Sequence, residues 1–298
     1  MIKTPGLNAY LILAIQSAVW ASAFQAIKYA LESFGPITIA AARILIAAMV
    51  LLAWAVFKGD KLPRDLSTWF SFLLIGLFNC ALPFFLIPWG EQTLDSGRAA
   101  IFMASGPLIA ILVARFTSND EQITGYKAAG FVIGFIGVFF VIGVDTFAGG
   151  IGEIGPQLAI ITAAASYAVS GAMVKRLSHL SGAMVAAGVL MGGCIITLPL
   201  SLLLENPLAN TQAVSSSALL ALLYLGLFPT GAAFFVRFYL IRKHGYTFVA
   251  QVGYLVPIFS VIFGAILLDE TISAAMIFGL CLILGGILLS RRGAPKND

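Results

Sequence analysis

Two arginines stand in stretches that are otherwise apolar, Arg43 in AAARILIAAM and Arg237 in AAFFVRFYLI. A guanidinium in such surroundings is costly to bury unless it meets an anion, an acceptor or water. Its chemistry is then anion recognition or the holding of a neighbouring helix. For Arg43 the position favours bonds to main-chain carbonyls at a helix end, and for Arg237 a reach outward to water. A second set is Gln16, Trp20, Phe24 and Lys28, spaced by four residues and so on one face of a helix. The amide could bond the polar end of a small molecule while the rings enclose its apolar part. The competing reading is that the rings pack and Lys28 reaches for solvent.

Further isolated polar groups are Asn79, Ser105, Ser166, Tyr167, Gln251 and Tyr254. Gln251 and Tyr254 are three apart and share a face. Such groups either line a wet cavity or bond helix to helix. Ser105 precedes Gly106-Pro107, and Tyr254 precedes Pro257. Each proline denies a carbonyl its helical donor, which frees that carbonyl toward a cavity or supplies a hinge.

Catalytic and metal chemistry find no support. There is no HExxH, no Walker lysine loop and no C-x-x-C pair, and His179 and His244 fall at the ends of apolar runs. Cys80, Cys194 and Cys281 lie within such runs and read as packing. No metal, cofactor or catalytic residue is expected. Glu91, Asp95, Asp120, Glu121, Asp269 and Glu270 all fall at edges of apolar runs. No carboxylate proton relay is expected, which favours facilitated movement or coupling to membrane potential.

The elements that position these groups must sit in lipid. The chain of 298 residues is 60% hydrophobic and 10% charged, with mean hydropathy +1.00, far from the composition of soluble domains. The net charge of +4 comes from residues scattered over short loops, which excludes a nucleic-acid surface. Windows of about 20 apolar residues predict ten spans at 8–31, 36–57, 67–88, 93–116, 125–144, 155–176, 182–204, 215–241, 246–268 and 272–291. Thirteen of the 17 basic residues then fall on one side and two, Lys28 and Arg98, on the other, with Arg43 and Arg237 inside spans. That asymmetry places both termini in the cytoplasm. The first run is read as a retained helix and not a signal peptide.

The halves resemble each other. IGLFNCALPFF (75–85) aligns with LGLFPTGAAFF (225–235), Pro107 precedes Pro257 by 150 residues, and Gly137 precedes Gly286 by 149. Five spans per half is odd, so the second copy enters from the opposite side, a pattern of transporters with a central site. Gly130, Gly134 and Gly137, with Gly279, Gly285 and Gly286, mark close helix approach in a scaffold. Phe78, Phe84, Phe85, Phe228, Phe234 and Phe235 either pack or form an apolar cage.

On these residues the chain resembles a known family. VWASAFQAIKYAL (19–31), AAARILIAAM (40–49), and the stretches 105–142 and 255–289 are similar to the spans of the drug/metabolite transporter superfamily, EamA branch. Within it the aromatic amino-acid exporters are the nearest in pattern. One departure is Asp120-Glu121-Gln122, where the family carries an acidic-basic step. The resemblance implies an all-α protein of ten helices in two inverted five-helix repeats, 1–148 and 149–298. It implies export of amino acids, or similar small metabolites, across the cell (inner) membrane by alternating access. Gln16, Asn79, Ser105 and Gln251 would bond the substrate's polar end, and Trp20, Phe24, Tyr167 and Tyr254 would surround its side chain. Lys28, Arg43, Pro107, Arg237 and Pro257 would position or gate. The alternatives are a nucleotide-sugar or lipid-linked sugar carrier of the same superfamily, and a membrane enzyme or sensor.

Overall fold

The computed structural model describes residues 5–117, 124–142, 151–207, 209, 214–244 and 246–292, and these are helical with no strand among them. The first half holds α1 (Leu7–Leu31), α2 (Pro36–Phe57), α3 (Leu66–Gly76), α4 (Leu82–Glu91), α5 (Ser96–Met103), α6 (Gly106–Thr117) and α7 (Gly125–Ile142). The second holds α8 (Ile151–Met173), α9 (Gly182–Leu200), α10 (Ser216–Leu225), α11 (Ala233–His244), α12 (Tyr246–Val249), α13 (Val252–Leu267) and α14 (Ala274–Arg292). Among the described residues seven helical runs are long and apolar enough to cross a membrane, and Val252–Leu267 and Ala274–Ser290 are shorter apolar helices beside them. Phe57, Leu66 and Leu203 are largely exposed on the outer face, as a lipid solvent allows and water does not. The proposed boundary at 148/149, the Asp120-Glu121 pair and both chain ends lie outside the described residues.

Two predicted spans are interrupted. The expected helix over 93–116 breaks at Ala104–Ser105, and that over 246–268 breaks at Ala250–Gln251. Pro107 cannot donate to the carbonyl of Met103, where α5 ends, and Pro257 cannot donate to that of Gly253, within a turn of the second break. Proline shapes two more segments. α3 joins α4 through a π turn at Leu77–Ala81, and α10 joins α11 through one at Gly226–Ala232. These fall within the aligned motifs 75–85 and 225–235. In the second, Pro229 has no N–H for the carbonyl of Leu225, and the hydroxyl of Thr230 donates to it instead, at 2.8 Å.

Helix starts are satisfied by oxygen acceptors. Asp65 Oδ1 accepts from Thr68 N at 2.7 Å, and the hydroxyls of Ser181 and Ser215 accept from Met184 N and Ala218 N, each at 3.1 Å. Others are capped from afar. Glu205 accepts from Ile37 N (2.9 Å) and Thr38 N (2.7 Å) at the start of α2. Glu270 accepts from Ser96 N (2.7 Å) and Gly97 N (3.0 Å) at the start of α5. Asp60, beyond the end of α2, accepts from the Ser181 hydroxyl at the start of α9.

α7 and α14 form the most extensive helix pair. A Cβ on Gly130 would strike the carbonyl of Gly286, and one on Gly137 that of Gly279. The glycines let the two backbones touch, which is the scaffold role their spacing predicts. Gly285 faces open space. Elsewhere α9 packs on α2 and α3, and α1 on α13. The apolar core gathers around Ile27, Phe102 and Ile160 in one cluster and Ile44, Phe72 and Leu190 in another.

Candidate functional site

A cavity of about 260 Å³ lies between α1, α5, α11 and α13. Trp20 and Phe24 form one wall, and Met103, Val256 and Pro257 supply apolar surface. Pro107 of α6 also lines it, beside Ala104 at the helix break. Arg237 is the cation on its wall. Trp20 is fixed by its indole N–H, which donates to the carbonyl of Pro229 at 2.9 Å. The Arg237 guanidinium lies over the Trp20 ring, 5.7 Å from its centre. Among the described residues no carboxylate pairs with Arg237. The wall is thus largely apolar, with one positive charge and an aromatic face.

Five of the residues singled out from sequence meet at this cavity: Trp20, Phe24, Pro107, Arg237 and Pro257. The others are not among its lining residues. Gln16, one turn from Trp20, is buried; its amide nitrogen donates to the carbonyl of Ala233 at 3.4 Å and its Oε1 has no partner. Gln251 sits at the helix break beside the lining residue Ala250, and Tyr254 packs on the main core. Asn79 donates to the hydroxyl of Ser170 at 2.9 Å, and Ser105 to the carbonyl of Phe102 at 2.7 Å. Ser166 bonds the carbonyl of Thr162, within its own helix.

Arg43 is buried away from the cavity wall. Its Nε and Nη2 donate to Thr230 Oγ1 at 3.2 and 3.1 Å, and its guanidinium lies 3.8 Å from the centre of the Phe84 ring. The expected bonds to main-chain carbonyls are replaced by one hydroxyl, which passes the interaction on to the carbonyl of Leu225. Arg43 thereby pins α2 to the π turn after α10. Phe84, Phe234 and Phe235 pack against the second core cluster, and Phe228 stacks on Tyr224 with ring centres 5.3 Å apart. None of these rings lines the cavity.

The sequence halves match the EamA-like transporter family separately, at residues 7–143 and 155–292. The chain belongs to the EamA-like transporter family. Its relatives agree. It is 30% identical over 91% of its length to a WAT1-related chloroplastic protein of Arabidopsis thaliana, spanning 66% of that protein, just under two thirds. It is 24% identical to the uncharacterized transporter YoaV of Bacillus subtilis, over 91% of this chain and 92% of that one. It is 26% identical to the uncharacterized inner membrane transporter YedA of Escherichia coli, over 92% and 88%. A crystal structure superposes with TM-score 0.67 at 20% identity over 95% of this chain and 97% of that one, a likeness of fold. The protein is a multi-pass membrane transporter.

Among the buried polar residues of this EamA-like chain, Gln25 lies outside the set singled out from sequence, and Glu91 differs from its expected setting at the edge of an apolar run. Gln25 on α1 is buried and donates to Ser96 Oγ (2.8 Å) and to the Ser260 carbonyl (3.0 Å), tying α1 to α5 and α13. Its signal was an amide inside an apolar helix, the argument already applied to Gln16. Glu91 corrects an expectation. The third span runs to residue 91, past the predicted 88, and carries Glu91 fully buried at its end. Among the described residues, neither Glu91 carboxyl oxygen has a hydrogen-bond partner.

Proposed function

We propose that this EamA-like transporter exports amino acids, aromatic and other apolar ones above all, by alternating access. The observation that carries this reading is the cavity wall of Trp20, Phe24 and Arg237. A free amino acid offers a carboxylate to the unpaired guanidinium and an apolar side chain to the rings, and a guanidinium suits a carboxylate in two-pronged contact. Gln16 Oε1, without a partner one turn along the same face of α1, is an acceptor for the ammonium. Gln251 and Tyr254 flank the break beside the cavity and come into contact as α13 moves. Asn79, Ser105 and Tyr167 are the corresponding groups of the alternate state. A nucleotide sugar would bring several phosphate charges to a wall with one cation.

In this reading the helices are ten spans in two inverted repeats, residues 1–148 and 149–298, with both termini in the cytoplasm and the protein in the cell's inner membrane. Support comes from the separate matches of the two halves and from π turns at aligned positions. The breaks at 104–105 and 250–251 are the hinges, as interrupted helices are in other transporters.

The test is counterflow in liposomes with radiolabelled phenylalanine, using threonine and a nucleotide sugar as competitors. Wild type is expected to exchange phenylalanine, with unlabelled amino acids competing. Trp20→Ala and Arg237→Gln are expected to lower exchange by about tenfold or more, the loss of one charged hydrogen bond or one ring contact. Exchange that these variants leave unchanged sinks the site, and competition by the nucleotide sugar alone sinks the substrate.

A further inference from the structure

Glu91 ends α4, and five residues later Ser96 opens α5. The Glu91 side chain is 0% exposed, and among the described residues neither carboxyl oxygen finds a donor. An ionised carboxylate in such a place, without a hydrogen bond, bears a far larger desolvation cost than the neutral carboxyl does. The charged groups in electrostatic reach are Lys28 on α1, Glu270 beyond α13 and Arg43 on α2. Among the described residues Lys28 forms no ion pair within 4.0 Å, and Arg43 is engaged by Thr230 and Phe84. From the other elements packed on α4, α8 brings Tyr167, within electrostatic reach of Arg43, and the start of α5 brings Arg98, 3.8 Å from Asp95.

The start of α5, which follows the Glu91 turn, is tied by hydrogen bonds to two of the helices that wall the cavity. Ser96 receives Gln25 of α1 on its hydroxyl and gives its N–H to Glu270. Gln25 also bonds the Ser260 carbonyl of α13. These three helices carry much of the cavity wall: Phe24 on α1, Ala100 and Met103 on α5, Gly253 and Val256 on α13. Any movement of α1 or α5 that opens or closes the cavity therefore shifts the α4–α5 turn as well.

We propose that Glu91 is a proton-binding site that couples substrate movement to proton movement. The step begins with the turn open to one side: hydronium gives up a proton, its O–H bond breaking to leave water, as an O–H bond forms on a carboxyl oxygen. The closed niche keeps that proton, and the same O–H bond breaks, with return of the proton to water, when the turn opens to the other side. No other group is oxidised, reduced or transferred. The proposal replaces the potential-driven or uncoupled carrier that the sequence suggested, and it rests on the transporter reading above.

The test uses the full chain in liposomes, as wild type and Glu91→Gln. Infrared spectra across a pH series are expected to show the carbonyl band of a buried neutral carboxylic acid in wild type and its loss in Glu91→Gln. The same band in both proteins, or in neither, overturns the proposal. A pH gradient is expected to drive phenylalanine accumulation in wild type, and Glu91→Gln is expected to lose that accumulation while keeping counterflow. Wild type indifferent to the gradient, or Glu91→Gln still driven by it, overturns coupling. If Glu91→Gln loses counterflow too, a trapped pH dye decides: protons moving with phenylalanine in wild type support the proposal, and none overturns it. If wild type exchanges no phenylalanine, the amino-acid reading fails, and the infrared band still decides proton binding at Glu91.

Discussion

Glu205 and Glu270 lie at or just beyond the end of a helical run, as Glu91 does, yet their surroundings are opposite. Each of the first two is half-buried and holds a pair of backbone N–H groups at the start of a distant helix. Glu91 is fully buried and holds none. A carboxylate that meets the unsatisfied donors of a helix start gains hydrogen bonds and a favourable dipole. One that meets only apolar surface must bind a cation or a proton. The partner, and not the residue type or its depth, separates a clamp from a chemical site.

The largest effect on stability is therefore expected at a clamp. Glu270→Ala leaves the N–H of Ser96 and of Gly97 without acceptors at a buried helix start, a cost of about 1–3 kcal/mol for an orphaned donor. Thermal unfolding of the purified protein, followed by tryptophan fluorescence, should show a clear fall in Tm, with Glu270→Gln falling less because one acceptor oxygen remains. A Tm for Glu270→Ala equal to wild type would mean that water satisfies these donors and that the clamp contributes nothing.

Glu91→Gln is expected to do the reverse. No partner is lost, and a neutral side chain of the same shape replaces a group whose charged form is costly there, so Tm at neutral pH should stay level or rise. A fall as deep as that of Glu270→Ala would break the comparison, since it would reveal a structural partner for Glu91. The two variants belong in one experiment, because only their opposite signs separate the two roles.

The sequence made the helices legible because lipid demands long apolar runs, and it made the α7–α14 seam legible because Gly130, Gly137, Gly279 and Gly286 leave no other explanation of their spacing. Trp20 and Phe24 stood out for a similar reason, aromatic groups on a helix face shared with a buried amide, whereas Arg237, expected to reach outward to water, lines the same cavity as they do. The clamps were not, since Glu205 and Ile37 are 168 residues apart and no local pattern joins them. Glu91 was hidden by a boundary. Hydropathy ends a span where charge begins, so a buried carboxylate at a helix end is read as solvent-exposed, and only packing against α1, α2 and α8 shows otherwise.

Asp65 supplies the mildest contrast, a carboxylate at a helix start that is local and open to water. Its side chain accepts from the backbone N–H of Thr68, three residues on, and that bond holds its carboxyl below the ordinary value of 3.8. The folded value is the depressed one. The stabilising share of the charge is thus present above the ordinary value and is lost as pH falls through the folded value. Asn caps a helix as well as Asp does but carries no charge. Wild type and Asp65→Asn should then differ slightly in Tm at neutral pH, with wild type the higher, and converge in acid. Added salt should narrow the neutral gap, because the charge is exposed and screened. A gap that persisted unchanged in acid would assign the effect to side-chain packing and place Asp65 with the long-range clamps in kind, its bond to the helix start mattering through geometry and not charge.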